Sequence, residues 1–165
     1  MIQSDHIPTL ARLLFVSTSQ HENGHPSDAA IFREASHNNR KREISGVILR
    51  GTTWFCQVLE GHGDALEGTW DSIRRDQRHS NVRHWWQTDA PNRLFLHWHT
   101  EHWSVSEKIE RVFLDILQSD AIPITDKITL VRAFAQVLRA RKHAFQEAPA
   151  TYGVSSDVSP SDTPH

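Results

Sequence analysis

Residues 44–61, with the sequence ISGVILRGTTWFCQVLEG, decide the fold of this chain. They contain two apolar runs, 44–49 and 54–59, rich in β-branched and aromatic residues. The stretch between the runs is short and contains a glycine, so the whole segment predicts a β-hairpin. Side chains in a strand alternate between its two faces, which places Gln57 on the face opposite Cys56. The amide of Gln57 must find hydrogen-bonding partners there, and it offers both a donor and an acceptor.

Apolar runs alternate with amphipathic segments on both sides of this hairpin, a pattern typical of strands and helices that share one sheet. The resulting order βαββαββ predicts an α+β, ferredoxin-like fold in which the sheet carries two helices on one face. The predicted elements are a strand at 10–17, a helix from Ser27 to about Asn38 and Asn39, the hairpin, a helix at 64–77, and strands at 82–88 and 93–100 around a turn at 90–92.

Residues 104–147 are predicted to form a pair of C-terminal helices. Ser104 and Glu107 have the spacing of a capping box, and Thr125 is placed to cap the second helix after Pro123 interrupts the first. Without these helices one face of the sheet would be open. We therefore expect them to cover that face, with partner binding or dimerisation as an overlapping role.

The composition restricts the classes of function. A net charge of -2 over 165 residues gives no general electrostatic reason to expect nucleic acid or an anionic membrane as a partner. Cys56 is the only cysteine, which excludes an intramolecular disulfide and is typical of a reducing compartment. No secretory signal or membrane span is recognisable, so we expect a cytoplasmic protein. Residues 1–9 are interpreted as an N-terminal extension and residues 148–165, rich in Ser, Pro, Asp and Thr, as a disordered tail.

Several short segments stand in an order that carries more information than any of them alone. Asn38-Asn39 is followed by Ile44-Ser45-Gly46, then by Gln57-Val58-Leu59-Glu60-Gly61, and then by Asp76-x-Arg78-His79. LARLLFVS at 10–17 precedes this series and RLFLHW at 93–98 follows it. In these segments the chain from 10 to 100 resembles the BLUF family of flavin-based blue-light sensors, in its short single-domain form.

The resemblance implies that a flavin stands between the two helices, FAD in this family, with FMN or riboflavin as possible substitutes. Asn38 and Asn39 match asparagines that hydrogen-bond the pyrimidine edge of the ring, and Gln57 matches a glutamine that faces its N5 and O4 atoms. Ile31 and Ile73 match the apolar residues on the two sides of the ring. Judged from the residues alone, the asparagine pair is also compatible with an ordinary helix C-cap and turn.

Three further positions match the family's motifs. Arg78 and His79 would either contact the cofactor or cap the second helix, and their position at a helix end favours capping. Trp98 matches a tryptophan on the last strand that can lie near the glutamine. Thr100 stands where many relatives carry a methionine, and its hydroxyl could hydrogen-bond to Gln57.

Position 15 departs from the family in a way that bears on light sensing. The family places a tyrosine on the first strand as a donor of an electron and a proton, and this chain has Phe15. Phenylalanine has no hydroxyl, is far harder to oxidise and cannot orient Gln57. We therefore expect Phe15, Gln57, Trp98 and Thr100 to form the photoswitch region, with a weakened or lost photocycle.

Two other sets of polar residues have features of a binding site. His97, His99 and His102 are the densest group of histidines, but no carboxylate or cysteine completes a ligand set at typical spacing, so no metal is expected. The basic runs 40–42 and 74–75 could meet flavin phosphates or an acidic partner, but solvated loops and helix ends are the more common outcome.

The sequence therefore predicts a flavin-binding blue-light sensor rather than an enzyme. It would signal to a downstream protein through protein-protein contacts and form a homo-oligomer, without nucleic acid or membrane as partner. The alternative is a light-insensitive, BLUF-derived interaction or redox-responsive module, which Phe15 motivates. A small flavoenzyme has little support, because no general base is paired with a nucleophile.

Overall fold

In the computed structural model, which describes residues 9–147, a five-stranded sheet is combined with four helices. The predicted order βαββαββ and the C-terminal helical pair are confirmed. Most of the expected N-terminal extension and the whole expected tail lie outside the described residues. The elements are β1 (Leu10–Ser19), α1 (Pro26–Lys41), β2 (Ser45–Arg50), β3 (Trp54–His62), α2 (Gly63–Ile73), β4 (His79–Gln87), β5 (Trp98–His102), α3 (Glu107–Gln118) and α4 (Ile124–Glu147).

The strands lie in the order β4-β1-β3-β2-β5, and all neighbours are antiparallel except β2 and β5. Alternate side chains of β3 belong to opposite faces. Cys56 and Val58 lie in the apolar core that includes residues of α3 and α4, whereas Leu59 lies in a second core with Leu66 of α2. Gln57 shares the face of Leu59, which confirms its predicted position opposite Cys56.

The last two strands differ from the prediction in their bounds and in their placement, although the fold class is confirmed. The sequence predicted strands at 82–88 and 93–100 around a turn, but β4 begins earlier and β5 begins later than expected. The two strands are not neighbours, because β4 pairs with β1 at one edge of the sheet and β5 pairs with β2 at the other. Residues 88–97 connect the two edges and contain no strand.

Hydrogen bonds to Glu60 explain why the segment before β5 is not a strand. Glu60 is fully buried and accepts hydrogen bonds from the backbone N–H groups of Leu94 and Phe95, at 2.9 and 3.0 Å. An N–H group that donates to a buried carboxylate is not available to a strand ladder. The Phe95 side chain also joins the core on the side of α3 and α4, so these residues are fixed as a crossover.

α1 extends beyond its predicted limits at both ends. It begins at Pro26, and the N-cap is His25, whose Nδ1 accepts a hydrogen bond from the Ser27 N–H at 3.2 Å. Proline is favoured at the first helical position because its missing N–H would have no partner there. At the other end the helix continues through the asparagine pair to Lys41, so the C-cap interpretation of that pair is wrong.

The limits of α2 and α3 also differ from the prediction. α2 ends at Ile73 rather than at 77. The N-cap of α3 is Ser106 and it makes no side-chain capping hydrogen bond, so the predicted capping box of Ser104 and Glu107 is wrong. The reason lies before the helix, where the Trp103 N–H still donates to a carbonyl of β2 and keeps the chain extended.

α3 and α4 cover the face of the sheet that α1 and α2 leave open, as predicted. α4 begins at Ile124, so Thr125 lies inside it rather than at its cap. Glu110 fastens α3 to the hairpin by accepting hydrogen bonds from the Thr52 N–H, at 3.2 Å, and from the Trp54 indole. Side chains from α3 and α4 fill the core beneath them: Phe113, Leu117, Ile128, Val131, Ala135 and Leu138.

Of the helices in residues 9–147, none combines the length and the hydropathy needed to cross a membrane.

Candidate functional site

A cleft of about 310 Å³ opens between α1 and α2 above the sheet. Pockets that hold small organic molecules typically have volumes of about 300–1,000 Å³. α1 and α2 supply the walls, and alternate residues of β3 supply the floor. The fold therefore brings most of the sequence-predicted site residues together. Those that line the cleft are Ile31, Asn38, Asn39, Gln57, Ile73, Arg78 and His79.

Three side-chain amides line this cleft without a partner. Asn38 and Asn39 come from α1 and Gln57 comes from β3, and the last two are only 2% and 8% exposed. Within residues 9–147, the asparagine side chains that form hydrogen bonds are those of Asn23 and Asn81, and none of the three cleft amides does. Their side-chain atoms are not among the fully buried atoms without a partner in the described chain, so they reach the open space of the cleft. The cleft is thus suited to a ligand that carries both donors and acceptors.

Apolar side chains surround the three amides. Ile31 lines the cleft from α1 and Ile73 from α2, while Phe55 and Leu59 flank Gln57 on the floor. A flat, largely apolar ring can pack between such aliphatic walls while its polar edge meets the amides. Phe55 and Leu59 were not among the predicted site residues. The alternation that placed Gln57 on this face also applies to positions 55 and 59, so it could have identified them.

An ion-pair cluster bridges the cleft walls near the end of α2. Arg78 donates to Asp76 and to Glu34 of α1, each at 2.7 Å. Partial burial by itself would raise the pKa of Asp76, but the hydrogen bonds and charge of Arg78 outweigh it and lower that pKa. The hydrogen bonds that Arg78 donates to both carboxylates raise its pKa. Arg78 therefore stays a cation at the rim of the cleft.

Two more polar contacts hold the walls in place. His79 Nε2 lies 2.8 Å from the carbonyl oxygen of Ile73, the last residue of α2, and Nδ1 lies 2.8 Å from Ser17 Oγ. The contact with Ile73 is a helix-capping contact, although His79 also lines the cleft. Arg42 reaches from the end of α1 to the Thr69 hydroxyl of α2, at 2.8 Å. The separation of α1 and α2 is thus fixed by side-chain bridges.

Phe15 lies directly beside Gln57, because the two residues are paired across β1 and β3. Directly paired residues point to the same face, with Cβ atoms about 4.5–5.5 Å apart. The ring of Phe15 is fully buried, and its centroid lies 5.7 Å from that of Trp70 and 6.1 Å from that of His79. Position 15 therefore decides whether Gln57 has a hydroxyl neighbour on this side, and phenylalanine supplies none.

Trp98 and Thr100 lie on β5, on the same face as Gln57 but outside the cleft lining. Thr100 pairs with Ile48, which in turn pairs with Gln57, so two strand spacings of about 4.8 Å each separate Thr100 from Gln57. No hydrogen bond joins Thr100 to Gln57 in the described part of the chain. Trp98 pairs with Gly46, and its indole Nε1 is buried without a partner among residues 9–147.

Residues 10–101 match the protein family described as BLUF, sensors of blue-light using FAD. The chain belongs to the BLUF family. One curated relative is the photoactivated adenylate cyclase subunit beta of Euglena gracilis, 34% identical over 74 residues. That segment is 45% of this chain and 9% of the relative, so the chain spans only a small part of that protein's length.

Solved BLUF structures share the fold. BlrB, a BLUF protein in its dark state, is 22% identical with a TM-score of 0.57, over 79% of this chain and 98% of that chain. BlrP1 of Klebsiella pneumoniae, in a structure with FMN and cyclic diGMP, is 25% identical with a TM-score of 0.56, over 78% of this chain and 35% of that chain. Both therefore extend the similarity beyond the family match, into the C-terminal helices.

The residues of this cleft fit a flavin. Unpaired amides suit the alternating donors and acceptors of a pyrimidine edge, and the aliphatic walls suit the faces of a ring system. Arg42, Arg75 and Arg78 also line the cleft and can meet phosphate groups. Among residues 9–147, no group of three His, Cys, Asp or Glu side chains is arranged to hold a metal ion.

Proposed function

We propose that this chain is a flavin-binding BLUF sensor in which Asn38, Asn39 and Gln57 hold the polar edge of the ring. Ile31 and Ile73 would lie against its two faces. The observation that carries this proposal is the cleft itself, which presents three unpaired amides between aliphatic walls. FAD is the flavin of the family. FMN and riboflavin carry the same ring, which is the part that these residues would contact, so we propose that either can replace it.

When bound, the flavin supplies the absorption of blue light. The chain supplies the groups that orient it and that can change partners. Gln57 is suited to such a change, because rotation of its amide exchanges the donor and acceptor that it presents. No hydrogen bond within residues 9–147 fixes the Gln57 side chain in one orientation.

Phe15 supports a weakened or absent light response. It occupies the position beside Gln57 where the family carries a tyrosine, and it is fully buried, so solvent cannot replace the missing hydroxyl. The photoswitch residues would then be Phe15, Gln57, Trp98 and Thr100. β5 carries Trp98 and Thr100 and pairs with β2. The side chains on the opposite face of β2 pack in one core with α4, so a change at β5 would reach α4 through β2.

The output would be a protein-protein contact rather than catalysis. We propose a downstream signalling protein as the partner, and a homo-oligomer of this chain, since α3 keeps the apolar residues Ile109 and Val112 42% and 53% exposed. The second candidate function is a light-insensitive, BLUF-derived interaction or redox-responsive module. Phe15 favours it, because a chain can keep the flavin cleft and lose the switch.

The first experiment is reconstitution of the purified chain with FAD, FMN and riboflavin, followed by a light-minus-dark absorption spectrum. Bound flavin with a reversible red shift supports the sensor. Bound flavin without a shift supports the light-insensitive module. A chain that stays colourless with all three flavins would contradict both.

Asn39→Ala tests the proposed grip on the ring. Two hydrogen bonds worth about 0.5–1.5 kcal/mol each would be lost, so flavin affinity should fall roughly 5- to 150-fold in a fluorescence titration. His37→Ala is the matched control, since His37 is exposed on the same helix and does not line the cleft. Equal affinities for the two variants would refute the role of Asn39.

Phe15→Tyr tests the proposed loss of the switch. The new hydroxyl would stand beside Gln57, so the light-induced red shift of the flavin bands should appear or grow. Phe32→Tyr is the control, because Phe32 is also on the α1 side of the sheet but packs edge-on against His102 rather than lining the cleft. A flavin-loaded Phe15→Tyr variant with no gain would show that Phe15 is not what silences the response.

A further inference from the structure

A second cavity, of about 570 Å³, lies on the other side of α1 from the flavin cleft. Arg40 lines this cavity and Asn38 lines the cleft. With 3.6 residues per turn, two residues that are two positions apart lie on nearly opposite sides of a helix. The remaining walls come from the starts of β2 and β5, the end of β3 and the crossover before β5. The cavity is therefore separate from the proposed flavin site, with α1 between them.

Two arginines give this cavity a positive charge. Arg93 donates to the Ser45 hydroxyl at 2.8 Å and to the backbone carbonyls of Glu43 and Glu60 at 2.8 and 3.1 Å, all of which are uncharged acceptors. Arg40 is exposed on α1. Among the described lining residues Glu43 alone is acidic. The arginines that form ion pairs within residues 9–147 are others: Arg12, Arg50, Arg74, Arg78, Arg83 and Arg139.

Two buried nitrogen atoms of the lining residues have no hydrogen-bond partner in the described chain. They are Nε1 of Trp98 and Nδ1 of His62. An indole N–H can only donate, so Trp98 needs an acceptor atom. Buried polar groups in native structures are nearly always paired, with protein, water or ligand. Both nitrogens are fully buried behind the cavity surface, so the arginines and the apolar lining residues decide what the cavity can bind.

The apolar part of the lining indicates what kind of molecule this is. Leu96 lies at the cavity and is 84% exposed, the side chain of Ile44 is buried in the lining, and Trp98 adds its ring. An inorganic anion would meet the arginines but leave Leu96 in water. A molecule with an apolar body would cover it, which removes apolar surface from solvent.

We propose that this second cavity binds a small organic carboxylate with an apolar body. Its carboxylate would meet Arg40 and Arg93, since guanidinium groups match carboxylates in charge and geometry. The body would pack against Leu96 and the Trp98 ring. Trp98 begins β5, so an occupied cavity would also restrain the strand that the proposed photoswitch uses.

Nuclear magnetic resonance of the full chain as purified tests this directly. The chain has 6 tryptophans, and Trp98→Phe identifies the indole N–H signal that belongs to Trp98. Titration with sodium phenylacetate should shift that signal saturably, with a Kd on the order of 1 mM or tighter. Inorganic phosphate, which has no apolar body, should bind at least about tenfold more weakly.

Arg40→Gln should weaken phenylacetate binding about tenfold or more, as expected for one charge-assisted hydrogen bond. Lys41→Gln makes the same charge change on the next residue, which is exposed and does not line the cavity, and should leave the affinity within about twofold. No saturable shift, equal losses in the two variants, or equal binding of phosphate would each overturn the proposal. The signal comes from an indole and not from a flavin, so failure here leaves the proposed flavin site untouched.

Discussion

Replacement of Glu60 by glutamine should destabilise the whole sheet, because this carboxylate joins β1, β2 and the crossover before β5. It accepts hydrogen bonds from Arg12 at 2.6 Å, from the Ser45 hydroxyl at 3.3 Å, and from two backbone N–H groups of the crossover. Glu60 and Arg12 are 0% and 3% exposed, so water cannot compensate for the loss.

The magnitude follows from the charge that remains. Glutamine has nearly the same shape as glutamate, but it leaves the Arg12 guanidinium buried without a carboxylate and turns an N–H₂ group toward donors. Removing one partner of a buried pair costs about 3–5 kcal/mol. One oxygen of the new amide still accepts a hydrogen bond, so we expect about 3 kcal/mol, a large share of the roughly 5–15 kcal/mol that stabilises a small domain.

Urea denaturation of the two proteins measures this cost. With a slope of about 1–3 kcal/mol per molar urea, the midpoint should fall by about 1–3 M with the slope unchanged. Glu67→Gln, at an exposed position of α2, is the control and should stay within about 0.5 kcal/mol. A fall of less than about 1 kcal/mol for Glu60→Gln would refute the assignment of Glu60 as the anchor of the crossover. Hydrogen exchange at Leu94 and Phe95 gives an independent check, since both amides should lose protection in the variant.

The two histidines of β5 and the buried Lys127 give further predictions about stability. Burial lowers the pKa values of His99 and His102 below their ordinary 6.5, so below that pH the unfolded chain binds protons that the folded chain does not. The free energy of unfolding should therefore fall as the pH drops from about 6.5 through the folded-state pKa values. In urea titrations, the double variant with glutamine at both positions should show a weaker dependence of stability on pH. Lys127 is fully buried with Nζ 3.7 Å above the Trp85 ring and no hydrogen bond within residues 9–147. Lys127→Met keeps the volume and removes the charge, so the urea midpoint should stay the same or rise, and a loss above about 2 kcal/mol would show that the cation-π contact outweighs desolvation.

The periodic patterns of the sequence predicted the strands and helices, because their geometry depends on neighbouring residues. The alternation of side chains along β3 placed Gln57 correctly, and the spacing of apolar residues predicted both helices that form the cleft. The predicted ends of the helices and strands were less accurate. Ser104 and Glu107 have the spacing of a capping box, yet the backbone pairing of Trp103 with β2 delays the helix to Ser106 as cap.

The sequence pattern could not predict contacts between residues that are far apart in the chain. Arg78 is predicted by motif to stand at a helix end, but its bridge to Glu34 depends on how α1 and α2 lie against each other. The second cavity is similar, because Arg40 and Arg93 are far apart in the chain and meet only through the path of the crossover.

The sequence by itself determined the alternating faces of β3 and the amphipathic helices, because periods of two and 3.6 residues are properties of the local backbone. The amides and isoleucines that line one cleft were identified by the resemblance to the BLUF family. Only the tertiary structure decided that β4 and β5 lie at opposite edges of the sheet. That choice depends on Glu60, whose hydrogen bonds to Leu94 and Phe95 join residues 34 and 35 positions apart, and no local pattern records them.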